Sequence, residues 1–392
     1  MIPAARIQAA IEILGRVLQG APAERELTAW ARGARYAGSK DRAAVRDHVF
    51  DALRRLRSAA WAGGCGDVAP EAMDPARVMA GLVAGQGGDP AALFTGEGHA
   101  PSPVALPADP GPAPEAVAAD LPDWIWHRFV EDHGPAAAAI ADALRSRGPV
   151  TVRANLQRGG RDALARRLDA SGIAALPNPV APTALTLTGG PRGLTGLQAF
   201  LDGGFEMQDA GSQALVARLP DVAGRRILDL CAGGGGKALA LAARGAGAVA
   251  AHDADPRRMR DLPARARRAG AAIAVTTEPE RDPPYDAVVA DVPCSGSGSW
   301  RRAPEAKWRL TPERLSELCA LQDAILDRAV RLVRPGGWIG YMTCSVLSCE
   351  NAPRAEAAAA RHGLTVMDGL SILPGPDTDG FHLTVLRVPG RA

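Results

Sequence analysis

The chain is poor in lysine, in aromatic side chains and in cysteine pairs. Aromatic residues make up only 4% of the 392 positions, and six cysteines are scattered without a single CxxC. That spacing excludes a zinc cluster and a disulfide framework, and it sets a reducing, cytoplasmic location as the expectation. Apolar stretches are broken by glycine or charge well before the roughly 18 residues a membrane span needs. Arg6, Glu12 and Arg16 interrupt the N-terminal apolar positions, which argues against a secretory signal. What remains is a soluble globular balance, 47% hydrophobic and 22% charged, with length enough for two or three domains.

Lysine is the sharpest scarcity. Of 45 basic residues only Lys40, Lys237 and Lys307 are lysine, against a background rich in arginine, glycine and proline. A site that requires a compact ammonium rather than a planar guanidinium is one reason to keep a lysine in such a chain. Net charge is only +2, but Arg257, Arg258, Arg260, Arg265, Arg267 and Arg268 crowd one segment, and Arg301, Arg302, Lys307 and Arg309 another. Such clusters suit a polyanion or form a solvated helix face.

Ile7, Ile11, Leu14 and Leu18 recur at helical spacing, as do Val45, Val49, Leu53 and Leu56; residues 70–84 and 121–147 also read as helical. Residues 85–120 are rich in Gly, Pro and Ala and read as loop. Between 150 and 205 lies a small α+β unit: strand-like 150–153, helix-like 161–170 and strand-like 184–188. From Gln208 strands alternate with helices, at 226–230, 248–253, 272–276, 285–291, 338–343, 364–367 and 381–387. That rhythm predicts a Rossmann-like α/β sheet of seven strands covered on both faces, with ligands beyond the carboxyl ends of the strands.

The first of these strands ends in Asp229-Leu-Cys231-Ala232-Gly233-Gly234-Gly235-Gly236-Lys237, and the second in His252-Asp253. Glycines let backbone approach a ligand before the helix begins, and an acid after the second strand can take both hydroxyls of a ribose. The pair points to an adenosine-containing cofactor. Ala238 after Lys237 disfavours a Walker phosphate loop. The fourth strand runs into Asp291-Val-Pro-Cys294-Ser, the fifth into Thr343-Cys344-Ser, so two thiols, each followed by serine, fall at the same sheet edge. A single cysteine there reads as structural; two beside an acid form a constellation. A thiolate adding to carbon 6 of a pyrimidine activates carbon 5 toward a methyl donor, and an acid such as Asp291 can stabilise the adduct through ring nitrogen 3.

These motifs resemble the RsmB/NOP/Sun family of S-adenosylmethionine-dependent RNA cytosine-5 methyltransferases, over about 203–387. Gly204-Phe-Glu-Met-Gln-Asp-Ala-Gly-Ser-Gln213 is similar to the family's entry motif, and the two cysteine segments to its two thiol motifs. The resemblance implies that Cys344 is the nucleophile and Cys294 assists product release. It also implies that residues 231–237, Asp253 and Asp291 contact S-adenosyl-L-methionine, with Lys237 and Lys307 in familiar lysine positions. The family's Cys-Ala-Ala-Pro-Gly-Gly-Lys is replaced here by the glycine run, and the usual acid after the third strand is missing, leaving Glu278 as a substitute. Residues 38–55 are similar to the NusB-like helical module of the ribosomal members, which favours 16S ribosomal RNA over transfer RNA.

The expected organisation is a helical NusB-like domain at 1–97, a linker at 98–119, an RNA-positioning α+β domain at 120–205 and a class I methyltransferase domain at 206–392. The expected partner is RNA, with no membrane and no metal, and the expected state is a monomer. Arg153, Arg158 and Arg161 are candidates for holding the RNA backbone. A nicotinamide-dependent dehydrogenase explains the glycine loop but neither thiol motif, and a non-catalytic RNA-binding assembly factor leaves the intact Cys294 and Cys344 without a role. Asp282-Pro-Pro-Tyr285 copies an amino-methyltransferase motif but precedes the fourth strand, where it cannot face a donor methyl group.

Overall fold

The computed structural model describes residues 1–190 and 193–390, which fall into two compact units. The first is Met1–Arg147 joined by Trp300–Leu310; the second is Gly148–Ser299 with Thr311–Ala392.

In the first unit, helices Pro3–Leu18, Ser39–Arg54, Leu56–Ala62 and Pro75–Gly85 surround one core. Ile7, Ile11, Leu14, Leu18, Val45, Val49, Leu53 and Leu56 are all buried in it, as their spacing predicts. Helix Ala23–Gly33 buries only Ala23 and Leu27, too sparse an apolar stripe to stand out in the sequence. The stretch expected as one helix at 121–147 is two, Asp123–His133 and Ala137–Leu144, parted at Gly134, whose positive φ no helix accommodates. The Gly- and Pro-rich run at 85–120 has no long element, yet Phe94 is buried, with Val104 and Leu106 packed on the same core.

Trp300–Leu310 completes this unit. Trp300 stacks on Phe129 with ring centroids 6.2 Å apart. Lys307 Nζ donates to the Arg54 carbonyl at 2.9 Å and Trp308 Nε1 to the Leu53 carbonyl at 2.8 Å. These two donors satisfy carbonyls that the end of helix Ser39–Arg54 leaves without intrahelical partners.

The second unit carries two sheets. Strands β1 (Val150–Ala154), β2 (Ala175–Pro177), β3 (Ala184–Leu187) and β4 (Phe205–Met207) pair antiparallel in the order β2-β3-β1-β4, with helix Gly160–Asp169 packed on them. The larger sheet comprises β5 (Arg226–Asp229), β6 (Ala248–Ala251), β7 (Ile273–Val275), β8 (Tyr285–Asp291), β9 (Val333–Thr343), β10 (Thr365–Ile372) and β11 (Phe381–Arg387). Its order is β10-β11-β9-β8-β5-β6-β7, parallel except for β11, which runs antiparallel to both neighbours. The expected seven strands are all present. β9 starts earlier than expected because its first half crosses Pro335, Gly336 and Gly337, which read as a turn. Buried apolar residues on the two faces form separate cores, one under helix Gly236–Ala243 and one under helix Pro312–Leu332. Thr311 caps the latter, its hydroxyl oxygen accepting from the Arg314 amide at 3.2 Å, and Pro312 opens the first turn.

Candidate active site

A cleft of about 570 Å³ opens at the carboxyl ends of β5, β8 and β9, where the strand order reverses around β5. Cys231, Ala232, Gly233, Gly234, Gly236 and Lys237 line it, together with Asp291, Cys294 and Cys344. Six loop residues and the three residues expected to do chemistry are therefore brought together. Gly235 lies behind the wall. Its φ is +82°, and an added Cβ would stand 2.2 Å from Leu262 Cδ1, so only glycine closes the turn there.

Asp253 also lies behind the loop, only 4% exposed. Its Oδ2 accepts from the Gly233 amide at 2.9 Å and its Oδ1 from the Asp255 amide at 2.9 Å, while Arg258 sits 3.1 Å away. The carboxylate expected to face a ribose thus anchors the glycine loop. Arg265 donates to the Gly234 carbonyl and, with Arg268, pairs with Glu206. Part of the arginine-rich segment is therefore internal bracing, and Arg258 and Arg265 line the cleft itself.

Charge in the cleft is organised around Lys237. Its ammonium is buried 2.5 Å from Asp291 Oδ2. Burial opposes the charge, but Asp291 and then Asp229 outweigh it and hold the ammonium above the usual lysine range. Asp229, at the end of β5, is fully buried, with the Ala238 amide turned toward its carboxylate. Burial first, then the neighbouring Asp291, pushes it up to about 7. A buried carboxylate with acceptor capacity to spare beside a glycine cradle fits a ligand that brings hydrogen-bond donors or positive charge.

The two thiols face each other, Sγ to Sγ at 3.4 Å. Cys344 is held below the ordinary thiol range, chiefly by the hydrogen bond it shares with Cys294 and with help from Lys237, against the effects of burial and of Asp291. The same bond, with burial, drives Cys294 well above that range. The two sulfurs are close enough to share one proton, an arrangement that favours one thiolate beside one S–H. Of the remaining cysteines, Cys319 Sγ donates to the Cys349 carbonyl at 3.5 Å, and neither lines the cleft.

Several expected residues lie elsewhere. Lys307 belongs to the helical unit, 1% exposed against the Arg54 carbonyl, and takes no part in the cleft. Glu278 pairs with Arg281 on a separate cleft shared with Arg226 and Tyr285. Arg153, expected to meet RNA, is internal: it donates to Gln208 Oε1 and to the Gly236 carbonyl, and burial pushes it down to about 10. Asp282 precedes β8 and pairs with Arg226. Sequence reasoning missed Gln208 and Ser212 as lining residues, although both lie in the 204–213 motif. It also missed Glu350, whose signal was the serine after each thiol. Among the described residues no helix is long and apolar enough to cross a membrane, and no group of His, Cys, Asp or Glu is arranged to hold a metal ion.

The strand order, the glycine loop after β5 and the cleft at the switch point define a methyltransferase-like α/β fold. The family described as 16S rRNA methyltransferase RsmB/F matches residues 216–376, and the ferredoxin-like domain described for RsmF/B-like methyltransferases matches 121–192. The chain belongs to the RsmB/NOP/Sun family. It is 35% identical over 251 residues to the ribosomal RNA small subunit methyltransferase B of Xylella fastidiosa strain Temecula1, covering 62% of this chain and 58% of that protein. The match thus spans less than two thirds of that relative's length. The crystal structure of PH0851 superposes with a TM-score of 0.76 at 21% identity, covering 98% of this chain and 99% of that one. A methyltransferase homolog protein from Pyrococcus horikoshii gives a TM-score of 0.62 at 23% identity, covering 70% and 97%. At these identities the structural likeness is one of fold.

Proposed function

We propose that this chain methylates carbon 5 of a cytosine in 16S ribosomal RNA, with S-adenosyl-L-methionine as the donor. The observation that carries the proposal is the thiol pair, 3.4 Å apart at the edge of a glycine-loop cleft. A dehydrogenase has no use for it. The name of the curated relative, ribosomal RNA small subunit methyltransferase B, supports the substrate class.

S-adenosylmethionine, when bound, supplies an electrophilic methyl group. Residues 231–237 would hold it, with Asp229 offering its spare acceptor capacity and Asp253 keeping the loop in shape. Cys344, as thiolate, adds to carbon 6 of the cytosine, and carbon 5 becomes the nucleophile. Asp291 faces the cleft and can bind the cytosine edge; Lys237 beside it can share a proton toward ring nitrogen 3 as charge develops. After methylation the proton on carbon 5 must leave so that the carbon–sulfur bond to Cys344 can break. Cys344 is then a thioether and no longer holds the Cys294 proton in place. Cys294 gives that proton to water in the cleft. The thiolate so formed takes the carbon 5 proton, directly or through water, as the carbon–sulfur bond breaks and Cys344 leaves as thiolate. The base must leave its stack to reach both groups.

The test is incubation of the full chain with labelled S-adenosylmethionine and either small-subunit ribosomal RNA or transfer RNA, followed by mapping of methylated cytosines. Label on carbon 5 of a ribosomal cytosine is the expected result. Label on transfer RNA alone would move the substrate, and RNA binding without label would leave a non-catalytic assembly factor.

A further inference from the structure

Cys294 follows β8 and Cys344 follows β9, so their separation depends on how two loops are tied together. One side chain ties them. Glu350 is fully buried, yet its carboxylate meets four donors. Oε1 accepts from the Ser295 amide at 2.8 Å and from Gln322 Nε2 at 3.0 Å. Oε2 accepts from the hydroxyls of Ser295 and Ser345, each at 2.5 Å. Ser295 and Ser345 are the residues immediately after the two thiols. Gln322 Nε2 also donates to the Pro293 carbonyl at 3.0 Å, so Cys294 is gripped from both sides. Tyr341 Oη, on β9, donates to the Glu350 carbonyl at 2.5 Å and fixes the clamp to the sheet.

A carboxylate offers about four lone-pair directions, and all four are used here. Burying such a charge is tolerable only with this degree of bonding, and apolar packing would hold the chain together at less expense. Two of the four donors, the Ser295 amide and Gln322 Nε2, cannot reverse their role. The two hydroxyls can.

We propose that Glu350 is a positioning residue for the thiol pair: through Ser295 and Ser345 it sets the approach of Cys294 to Cys344 without touching substrate. The proposal rests on the roles assigned to the thiols above, but it can be tested without methyl transfer. Displacements of about 1 Å at a reacting centre typically alter rates on the order of 100-fold, so the clamp has a measurable consequence.

Two readouts on the full chain need neither cofactor nor RNA. One is the rate at which diamide forms the Cys294–Cys344 disulfide, the two thiols giving up two electrons and two protons to its N=N bond. The other is the pH dependence of Cys344 alkylation by iodoacetamide. Both are read by fragmentation of cysteine peptides in a mass spectrometer. Glu350→Ala is expected to slow disulfide formation about tenfold or more, and to move the alkylation midpoint of Cys344 upward as the Cys294 bond is lost. Glu350→Gln keeps an acceptor for the two irreversible donors, while its amide can donate to the serine hydroxyls; it should stay within about threefold of wild type. Should Glu350→Ala fail to fold, Ser295→Ala removes one arm of the clamp and should slow the disulfide by several-fold. Wild-type rates and midpoint in folded Glu350→Ala, or in Ser295→Ala where that variant replaces it, overturn the proposal. Altered thiols in a protein that never methylates RNA would instead overturn the functional reading and leave the clamp standing.

Discussion

The Lys237 ammonium lies 2.5 Å from the Asp291 carboxylate, so one of only three lysines in the chain neutralises the acid that faces the thiols. A guanidinium is larger and planar, whereas this buried site places a point charge between Asp291 and Asp229 and near Cys344. Lys237→Met should remove that charge from all three. The loss in stability should be about 2 kcal/mol, below that of a fully buried pair because Asp291 is a third exposed. Thiolate is the reactive form, so alkylation of Cys344 rises with pH through its pKa. Without Lys237 the midpoint should shift upward. An unshifted midpoint would remove Lys237 from the electrostatics of the thiol.

Asp253→Ala deprives the Gly233 and Asp255 amides of their acceptor and leaves Arg258 without its partner. The glycine loop should loosen, and affinity for S-adenosylhomocysteine should fall by roughly 1–3 kcal/mol. Asp253→Asn, which retains one acceptor, should lose less. Calorimetry giving wild-type affinity for the alanine variant would show that the loop holds its shape unaided.

Lys307 tests a separation of roles. Burial pushes it down to about 7, against the pull of Asp120. From there toward the ordinary value of 10.5, the unfolded chain holds a proton that the folded chain has shed, so this group's contribution to stability rises with pH over that window. Lys307→Met should flatten that rise in denaturant titrations. It should also weaken the helical unit by about 1–3 kcal/mol through the unmet Arg54 carbonyl, with S-adenosylhomocysteine affinity unchanged. A large loss of cofactor affinity would contradict the assignment of Lys307 to the helical unit alone.

The sequence made the large sheet legible because its strands are apolar runs ended by glycine, acid or cysteine, and those endings carry the site. Patterns local in sequence were readable. What depended on tertiary partners was not. Arg153 sits in a short strand buried on both faces, where arginine reads as surface until Gln208 and Gly236 supply its acceptors. Lys307 looked like a site lysine because its carbonyl partner, Arg54, lies far away in sequence. Asp253 was found by position, but its occupation by the Gly233 amide follows only from how the loop closes. Glu350 stood in plain text as an acid beside Cys349, and only the folded chain gathers Ser295, Ser345 and Gln322 around it.

The most direct test of the central claim is covalent trapping of RNA by the two thiol variants. Each is incubated with S-adenosylmethionine and small-subunit ribosomal RNA, and the products are run on denaturing gels with and without nuclease. Removing a nucleophile prevents the first bond, whereas removing the release group preserves it. Cys344→Ala should therefore give neither methylation nor a covalent band. Cys294→Ala should accumulate a slow-migrating protein–RNA species that nuclease removes. A band with Cys344→Ala and none with Cys294→Ala would contradict the assignment of the two roles.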